Sequence, residues 1–230
     1  MSDRISTRMR DVNIEWLTRA AEFDHLFQTR WLGERFFHLP GDMLAIQELV
    51  WQVRPRYIVQ TGIAAGGGAV FSASMQELVG GEGRVIAIDP RLRAEVKDRL
   101  QAHRLAHRMT LIEGESCAPA TLAAVREHIG ADAPVLVILD LTHTHDHVLR
   151  ELECYAELVT PGSYVIVMDT IMEYLPESMF DGKPYGRGNN PATATQAFLE
   201  RDHRFNVDGD IEDRVLMTLS PGGFLKRVRQ

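Results

Sequence analysis

Short apolar runs that alternate with amphipathic segments, from residue 42 to the end, are the feature that most constrains this chain. Runs such as YIV at 57–59 and VLVIL at 135–139 are continuously apolar, which is typical of strands buried on both faces of a sheet. The segments between them repeat apolar residues at a spacing of three and four, as helices with one buried face do. Strands and helices in alternation form a parallel sheet covered on both sides. The sequence therefore predicts a Rossmann-like α/β fold.

The strands can be placed along the chain. Five parallel strands are predicted at 57–62, 84–89, 109–114, 135–140 and 163–169. Two more, at 204–207 and 215–219, are predicted to form an antiparallel edge, which gives a mostly parallel sheet of seven strands. Residues 1–40 are predicted to form an N-terminal helical extension or cap, and residues 41–230 the sheet domain.

Bulk properties exclude several classes of function. The net charge is −7 and no long basic stripe occurs, so nucleic-acid binding is not expected. No run approaches the ~20 apolar residues of a membrane span, and the N-terminus lacks the apolar core of a secretory signal. Cys117 and Cys154 form no CxxC pair and are expected to be reduced. We expect a cytoplasmic protein that acts on a small molecule, without a nucleic-acid or membrane partner.

A glycine-rich turn, TGIAAGGG at 61–68, follows the first strand. Glycine permits a positive φ and lets the backbone approach a ligand closely. The turn does not match GxGxxG and lacks the Walker A lysine, which argues against a nucleoside triphosphate. Asp89 ends the second strand, where an acid commonly holds ribose hydroxyls. Together they predict an adenosine-type cofactor, with S-adenosylmethionine favoured by the seven-strand arrangement and with NAD or a merely tight turn as alternatives.

Asp140 and Asp169 end two strands that are predicted to be neighbours. Two carboxylates at one sheet edge could bind Mg²⁺ through oxygen, and the alternative is that each tethers a nearby loop. Met168 precedes the second acid, and a thioether is a poor ligand for Mg²⁺. The sequence thus predicts an acidic edge at which magnesium is a possible second cofactor.

Three histidines follow Asp140 in the stretch DLTHTHDH. His143 lies in the turn that leaves the strand and is predicted to be a general base, with a helix-start histidine bonded to the backbone as the alternative. His145 is expected to be solvated. No HExxH motif occurs, so a zinc site that uses His143 and His147 is not expected.

The segment YGRGNNPATAT at 185–195 precedes a helix that Asn190 is predicted to cap and Pro191 to open. A connection of about 20 residues in a compact domain is usually functional or disordered. We therefore predict a substrate-facing lid that uses Tyr185, Arg187, Asn189 and Asn190. An ordinary capped helix after a long connection is the alternative.

Several segments match a known family in order and spacing. They are TRWLG, RPRYIVQTGIAAGGGAVFSASMQEL, RVIAID, LIEGES, VILDLTHTHDHVLRELECYAELVTPGSYVIVMDT, and GNNPATAT through DRVLMTLSPGGFLKRV. With these segments the chain, from about residue 27, resembles the cephalosporin hydroxylase family. Despite its name, that family has the class I S-adenosylmethionine-dependent methyltransferase fold and is similar to macrolide-sugar and rhamnosyl O-methyltransferases.

The resemblance implies site residues. It places the cofactor at the glycine turn and the acid that ends strand two, and we expect contacts from Gln60, Gly62, Ala64, Gly66, Gly67, Asp89, Glu115, Ser116 and Asp140. It implies a metal site from Asp140 and a Glu-Asp pair at the end of strand five, where Asp169 matches and Met168 replaces the Glu. Gln60 stands where the family has a Glu on strand one. The resemblance also implies His143 as the catalytic base, with Asp140 beside it.

These observations predict a methyltransferase that uses S-adenosylmethionine and acts on a small hydroxylated molecule, such as a sugar or natural product. His143 is expected to take the acceptor proton, and the two acids to orient the acceptor with or without Mg²⁺. Gln60 and Met168 motivate an alternative, a protein of this fold that binds the cofactor but has a non-methyltransfer or accessory role in natural-product biosynthesis. An NAD-dependent oxidoreductase is a third hypothesis. The protein is expected to be a homo-oligomer.

Overall fold

The central sheet has seven strands. The structure is a computed structural model that describes residues 4–130 and 133–229. The strands are β3 (Tyr57–Thr61), β4 (Arg84–Asp89), β5 (Met109–Glu113), β6 (Val135–Leu139), β7 (Tyr164–Val167), β8 (Phe205–Val207) and β9 (Phe224–Arg227). Their order is β5-β4-β3-β6-β7-β9-β8, parallel from β5 to β7 and antiparallel at β9 and β8. The predicted mostly parallel seven-stranded sheet is confirmed.

Helices cover both faces of this sheet. The helices are α1 (Ile5–Ala21), α2 (Pro40–Val53), α3 (Gly67–Val79), α4 (Ala94–Ala102), α5 (Pro119–His128), α6 (His145–Tyr155), α7 (Pro191–Arg201) and α8 (Gly209–Val215). Side chains of α2, α3, α4 and α8 share one core cluster, and side chains of α5, α6 and α7 share another. Successive strand residues such as Val137 and Ile138 enter opposite clusters, because side chains alternate across a sheet.

The last predicted strand was wrong. Most of 215–219 lies outside regular structure, after α8, and the strand that pairs with β7 is β9. The backbone N–H of Leu219 donates to the carboxylate of Asp42 at 3.1 Å, so this segment is held by a side chain instead of a sheet ladder. β9 reads FLKR, and its two apolar residues are too few to give a clear strand pattern.

The N-terminal segment packs onto the sheet domain. α1 precedes a short hairpin of β1 (Arg30–Trp31) and β2 (Glu34–Arg35). Ser6 donates to Asp213 in α8 at 2.7 Å, and the indole of Trp31 donates to Ser74 in α3 at 2.9 Å. Phe36 is buried in the core cluster that α2 and α3 share. The domain boundary near residue 40 stays a prediction.

None of the helices in the described parts of the chain combines the length and the apolar character that crossing a bilayer requires.

Candidate active site

The predicted site residues lie at the carboxyl ends of the parallel strands. β3 is flanked by β4 on one side and by β6 on the other, so the chain reverses its direction of travel across the sheet at this point. Ligands of open α/β sheets bind in the crevice at such a switch point. The glycine turn leaves β3 here, and Asp140 leaves the adjacent β6.

The glycines of the turn are required by close backbone contacts within the protein. Gly62 has φ +86°, and a Cβ there would lie 1.9 Å from the carbonyl oxygen of Asp140. A Cβ on Gly67 would lie 2.0 Å from the carbonyl oxygen of Arg35 in the hairpin. Gly66 precedes α3 with φ +102°. These contacts lock the turn between β6 and the N-terminal hairpin, which the sequence pattern did not reveal.

Asp89 supports the turn through its carboxylate. Its Oδ2 accepts the backbone N–H groups of Ile63 at 2.9 Å and Ala64 at 3.2 Å, and Oδ1 accepts that of Arg91 at 2.8 Å. A carboxylate has about four acceptor positions, so about one remains for a ribose hydroxyl. The remaining acceptor position therefore fits a ribose hydroxyl of an adenosine cofactor, and the same acid fixes the turn that would lie beneath it.

The other predicted cofactor residues divide by accessibility. Gln60 is buried; its Oε1 accepts the hydroxyl of Ser72 at 3.0 Å and its Nε2 donates to the carbonyl of Gly62 at 3.4 Å. Ser116 is also buried, and its carbonyl accepts the hydroxyl of Tyr155. Gln60 and Ser116 thus have buried side chains, and Gln60 is bonded within the protein.

Ala64 and Glu115 are exposed. Within the predicted cofactor set, Ala64 has an accessible side chain beside the turn and Glu115 has one after β5.

Two histidines face the two acids. The Nδ1 atom of His143 lies 3.6 Å from Oδ2 of Asp169, and the Nε2 atom of His38 lies 3.5 Å from Oδ2 of Asp140. The backbone N–H of Met168 donates to the carbonyl of Leu139 at 3.0 Å, which holds the ends of β7 and β6 together. The structure therefore brings Asp140, Asp169 and His143 together as predicted, and adds His38.

Burial and neighbouring charges shift the pKa values in this cluster. Burial raises the pKa of Asp169 to about 6; His143 opposes this rise and Asp140 adds to it. Burial alone lowers the pKa of His38, but the contact with Asp140, helped by Asp42, outweighs it, and the pKa lies above its ordinary value. In this cluster the carboxylates and the imidazoles therefore shift each other's pKa values.

His38 is the site residue that the sequence did not identify. It lies between β2 and α2, in FFHLP, and only 8% of it is exposed. A lone histidine between apolar residues indicates burial, but nothing local connects it with an acid on β6. Its position depends on the packing of the N-terminal segment.

Some of the predicted lid residues lie at the site. The ring of Tyr185 lies perpendicular to that of His143, with centroids 5.1 Å apart. Asn189 accepts the backbone N–H of His145 at 2.8 Å, so the lid segment rests on the start of α6. Arg187 is exposed.

Asn190 has a structural role instead. It is buried, and its Oδ1 accepts the backbone N–H groups of Ala192 and Thr193 at the start of α7. Its amide nitrogen donates to Glu173 and to the carbonyl of Gly186. All of its hydrogen-bonding capacity is used, which leaves no group for a substrate.

The remaining histidines stand apart from the acidic pair. His145 was expected to be solvated, but its Nδ1 lies 2.9 Å from the hydroxyl of Thr193 and the residue is half-buried. His147 pairs with buried Glu151 on α6 at 3.4 Å.

The residues present do not fit a magnesium ion. Met168 is buried, and its sulfur accepts the hydroxyl of Ser220 at 3.3 Å within the core. Asp140 and Asp169 are the carboxylates that follow β6 and β7, and each faces an imidazole. Within residues 4–130 and 133–229, no three His, Cys, Asp or Glu side chains come together in an arrangement that could hold a metal. Mg²⁺ is usually held by one or two carboxylates that face it directly, and here the imidazoles of His38 and His143 lie against both carboxylates.

Comparison with known proteins identifies the family of this chain. Residues 24–228 match the family described as rhamnosyl O-methyltransferase/CmcI. The rhamnosyl O-methyltransferase of Mycobacterium leprae (strain TN) is 29% identical over 209 residues, which cover 86% of this chain and 83% of the relative.

Solved structures have the same fold. An apo structure of CmcI has a TM-score of 0.61 at 20% identity and covers 89% of this chain and 78% of its own. A CmcI structure with Mg and SAM has a TM-score of 0.58 at 20% identity and covers 88% and 78%. The predicted resemblance and class I methyltransferase fold are confirmed, and the chain belongs to the rhamnosyl O-methyltransferase/CmcI family.

Proposed function

We propose that this protein is an S-adenosylmethionine-dependent O-methyltransferase that acts on a small hydroxylated molecule, a sugar or natural product. The observation that carries the proposal is the His143–Asp169 pair, which lies at the sheet edge beside the glycine turn. Family membership supports the reaction class, because the curated relatives are named rhamnosyl O-methyltransferases.

The cofactor is assigned to the crevice between the glycine turn and β4. Asp89 offers its remaining acceptor position to the ribose, and the exposed Ala64 and Glu115 border the same crevice. Gln60 and Gly62 hold the floor of the turn. The similar CmcI fold in complex with SAM supports this assignment.

His143 is assigned the role of general base. S-adenosylmethionine supplies an activated methyl group on its sulfonium sulfur. With Nδ1 of His143 turned towards Asp169, Nε2 is left to accept the proton of an acceptor hydroxyl. The acceptor oxygen then forms its bond to the methyl carbon as the carbon–sulfur bond breaks, and S-adenosylhomocysteine leaves. Asp169 holds the ring and stabilises the imidazolium that forms.

The acceptor is assigned to the side of His143 that faces the lid segment. Tyr185 presents a ring next to the base, and Arg187 and Asn189 lie in the same segment. An aromatic face beside the reacting hydroxyl suits the apolar C–H face of a sugar ring. A deoxyhexose glycoside is therefore the first acceptor to examine.

The test is a methylation assay with a synthetic rhamnoside. Purified protein is incubated with S-adenosylmethionine and the rhamnoside, and S-adenosylhomocysteine and the methylated product are measured by mass spectrometry. We expect His143→Ala to lower kcat by about 10²–10⁴-fold while the affinity for S-adenosylhomocysteine stays unchanged. Equal loss of turnover and cofactor affinity contradicts the role of His143 as base.

We also propose that the protein is a homo-oligomer. Leu44 and Trp51 lie on the same stripe of α2 and are 58% and 56% exposed. Exposed apolar side chains in one stripe suit a contact with a second copy. Light scattering of the wild type and of Trp51→Glu measures this: we expect a multiple of the chain mass for the wild type and a smaller species for the variant.

A cytoplasmic location is part of the same proposal. Cys117 and Cys154 are both free thiols, as in proteins from reducing compartments. Cell fractionation with an antibody against the protein tests this assignment, and recovery with the membrane or secreted fraction contradicts it.

A further inference from the structure

Two imidazole–carboxylate pairs lie side by side where β6 and β7 end. His143 faces Asp169 at 3.6 Å, and His38 faces Asp140 at 3.5 Å. The two pairs differ in access, because His143 is half-buried beside the lid segment and His38 is buried. His143 can therefore reach an acceptor molecule. His38 cannot, and it can act only through its contact with Asp140.

The surroundings of His38 support this task. Its ring packs on that of Phe36, with centroids 4.6 Å apart, and lies beside Gly68 of the glycine turn. Among the described residues, neither of its ring nitrogens has a hydrogen bond of good geometry, so the 3.5 Å contact with Asp140 is its principal polar contact. A buried imidazole with so few partners is costly to the fold. Its position against Asp140 indicates a role at the site.

A divalent cation in a carboxylate site offsets the negative charges and orients the acceptor oxygen. In this chain the carboxylates of Asp140 and Asp169 each face a ring nitrogen, and the adjacent Met168 offers a sulfur turned towards Ser220. The imidazoles of His38 and His143 therefore lie where a cation would contact the two carboxylates. Met168 supplies no oxygen ligand beside them.

We propose, building on the methyl transfer proposed above, that this chain works without a divalent cation and that His38 holds the Asp140 carboxylate in the position that a cation would otherwise fix. His38 is a positioning residue that acts through Asp140. His143 with Asp169 remains the catalytic pair.

Metal binding to the wild-type protein is the first test. S-adenosylhomocysteine is titrated calorimetrically, and MgCl₂ and MnCl₂ are then titrated into the saturated protein at millimolar concentrations. We expect S-adenosylhomocysteine to bind and neither metal to release heat. Tight metal binding to the saturated protein overturns this inference and leaves the proposed function standing. Failure of S-adenosylhomocysteine to bind overturns both.

Variants at position 38 test the role of the imidazole. His38→Phe keeps the ring shape without an N–H group, and His38→Gln keeps an N–H donor. We expect His38→Phe to lower kcat by about tenfold or more, because the carboxylate of Asp140 loses the partner that holds it. His38→Gln is expected to behave like the wild type. Equal kcat in both variants contradicts the role of His38, and unchanged S-adenosylhomocysteine affinity shows that each variant is folded.

A spectroscopic readout is independent of the variants. In protein labelled with ¹⁵N at the histidine rings, the signals of His38 and His143 are followed as MgCl₂ is added. We expect no shift of either signal. A shift of both, with one binding constant, places a cation between the two pairs and overturns the inference.

Discussion

At the scale of single residues, two imidazole–carboxylate pairs of one type differ in their surroundings because of where they lie. His143 and His38 each face a carboxylate, yet only His143 borders the lid segment and its tyrosine ring. The glycines show the same dependence on position. Gly62 has a carbonyl oxygen against it, whereas Gly80, with φ +83°, has nothing within 4 Å of the position that a Cβ would take.

The different surroundings of Gly62 and Gly80 allow a prediction in which Gly80 is the control. We expect Gly62→Ala to destabilise the protein by more than about 3 kcal/mol, because the added Cβ would meet the Asp140 carbonyl and the backbone would have to move. Gly80→Ala, with a similar φ but open space, is expected to cost less, about 1–3 kcal/mol. Urea unfolding followed by circular dichroism measures both. Equal losses would show that backbone conformation, and not the close contact, decides the cost.

At the scale of elements, Arg204 joins the end of α6 to the start of the antiparallel edge. Its guanidinium donates to Asp202 at 2.6 Å and to Glu157 at 2.8 Å. The hydrogen bonds from Arg204 lower the pKa of Asp202 and of Glu157 below their ordinary values. α7 and β8 are therefore held to the turn that follows α6 by a network that depends on ionised carboxylates.

This network makes a prediction about pH. Because both acids have a lowered pKa in the folded protein, their contribution is fully present above the unfolded values and is lost as the pH falls through the folded values. We expect Arg204→Met to lower the free energy of unfolding by about 1 kcal/mol at neutral pH. The difference from the wild type is expected to shrink below about pH 4. Urea unfolding across this range measures it, and a difference that stays constant with pH contradicts the assignment.

The cap of α7 is a second element with a measurable contribution. Asn190 satisfies two N–H groups of the first turn of α7 and also holds Glu173. We expect Asn190→Ala to cost about 1–2 kcal/mol of unfolding free energy. Asn189→Ala, at an exposed neighbour, is the matched control and is expected to cost less. Comparable losses for the two variants would contradict the capping role.

At the scale of the whole molecule, Asp42 joins distant parts of the chain near the site. Its buried carboxylate accepts the backbone N–H of Leu39 at 3.1 Å, the hydroxyl of Thr218, and the backbone N–H of Leu219 at 3.1 Å. The start of α2 is thereby tied to the segment before β9. His38 precedes this junction directly, so the tether also sets the position of the imidazole.

Substitutions at Asp42 and Thr218 test the hydrogen bonds of this junction. Asp42→Asn keeps the shape but replaces one acceptor oxygen by a donor, which faces donors on every side. We expect a loss of about 2–4 kcal/mol in unfolding free energy, against about 1 kcal/mol for Thr218→Val, which removes one hydrogen bond. Thermal and urea unfolding compare the two. A smaller loss for Asp42→Asn than for Thr218→Val would mean that the carboxylate does not carry the junction.

The sequence by itself determined the alternation of strands and helices, the glycine turn, the acids at the strand ends and the start of α7 at Pro191. Each of these rests on local chemistry: a continuous apolar run, a period near 3.6, the dihedral freedom of glycine, or a cap followed by proline. The tertiary structure alone decided that His38 faces Asp140, that Asp42 holds Thr218 and Leu219, and that Gly62 lies against the carbonyl that follows β6. It also decided that β9, and not 215–219, pairs with β7. These contacts join residues far apart in the chain. They form because the N-terminal segment and the C-terminal edge pack onto the sheet, and no local sequence pattern indicates such packing.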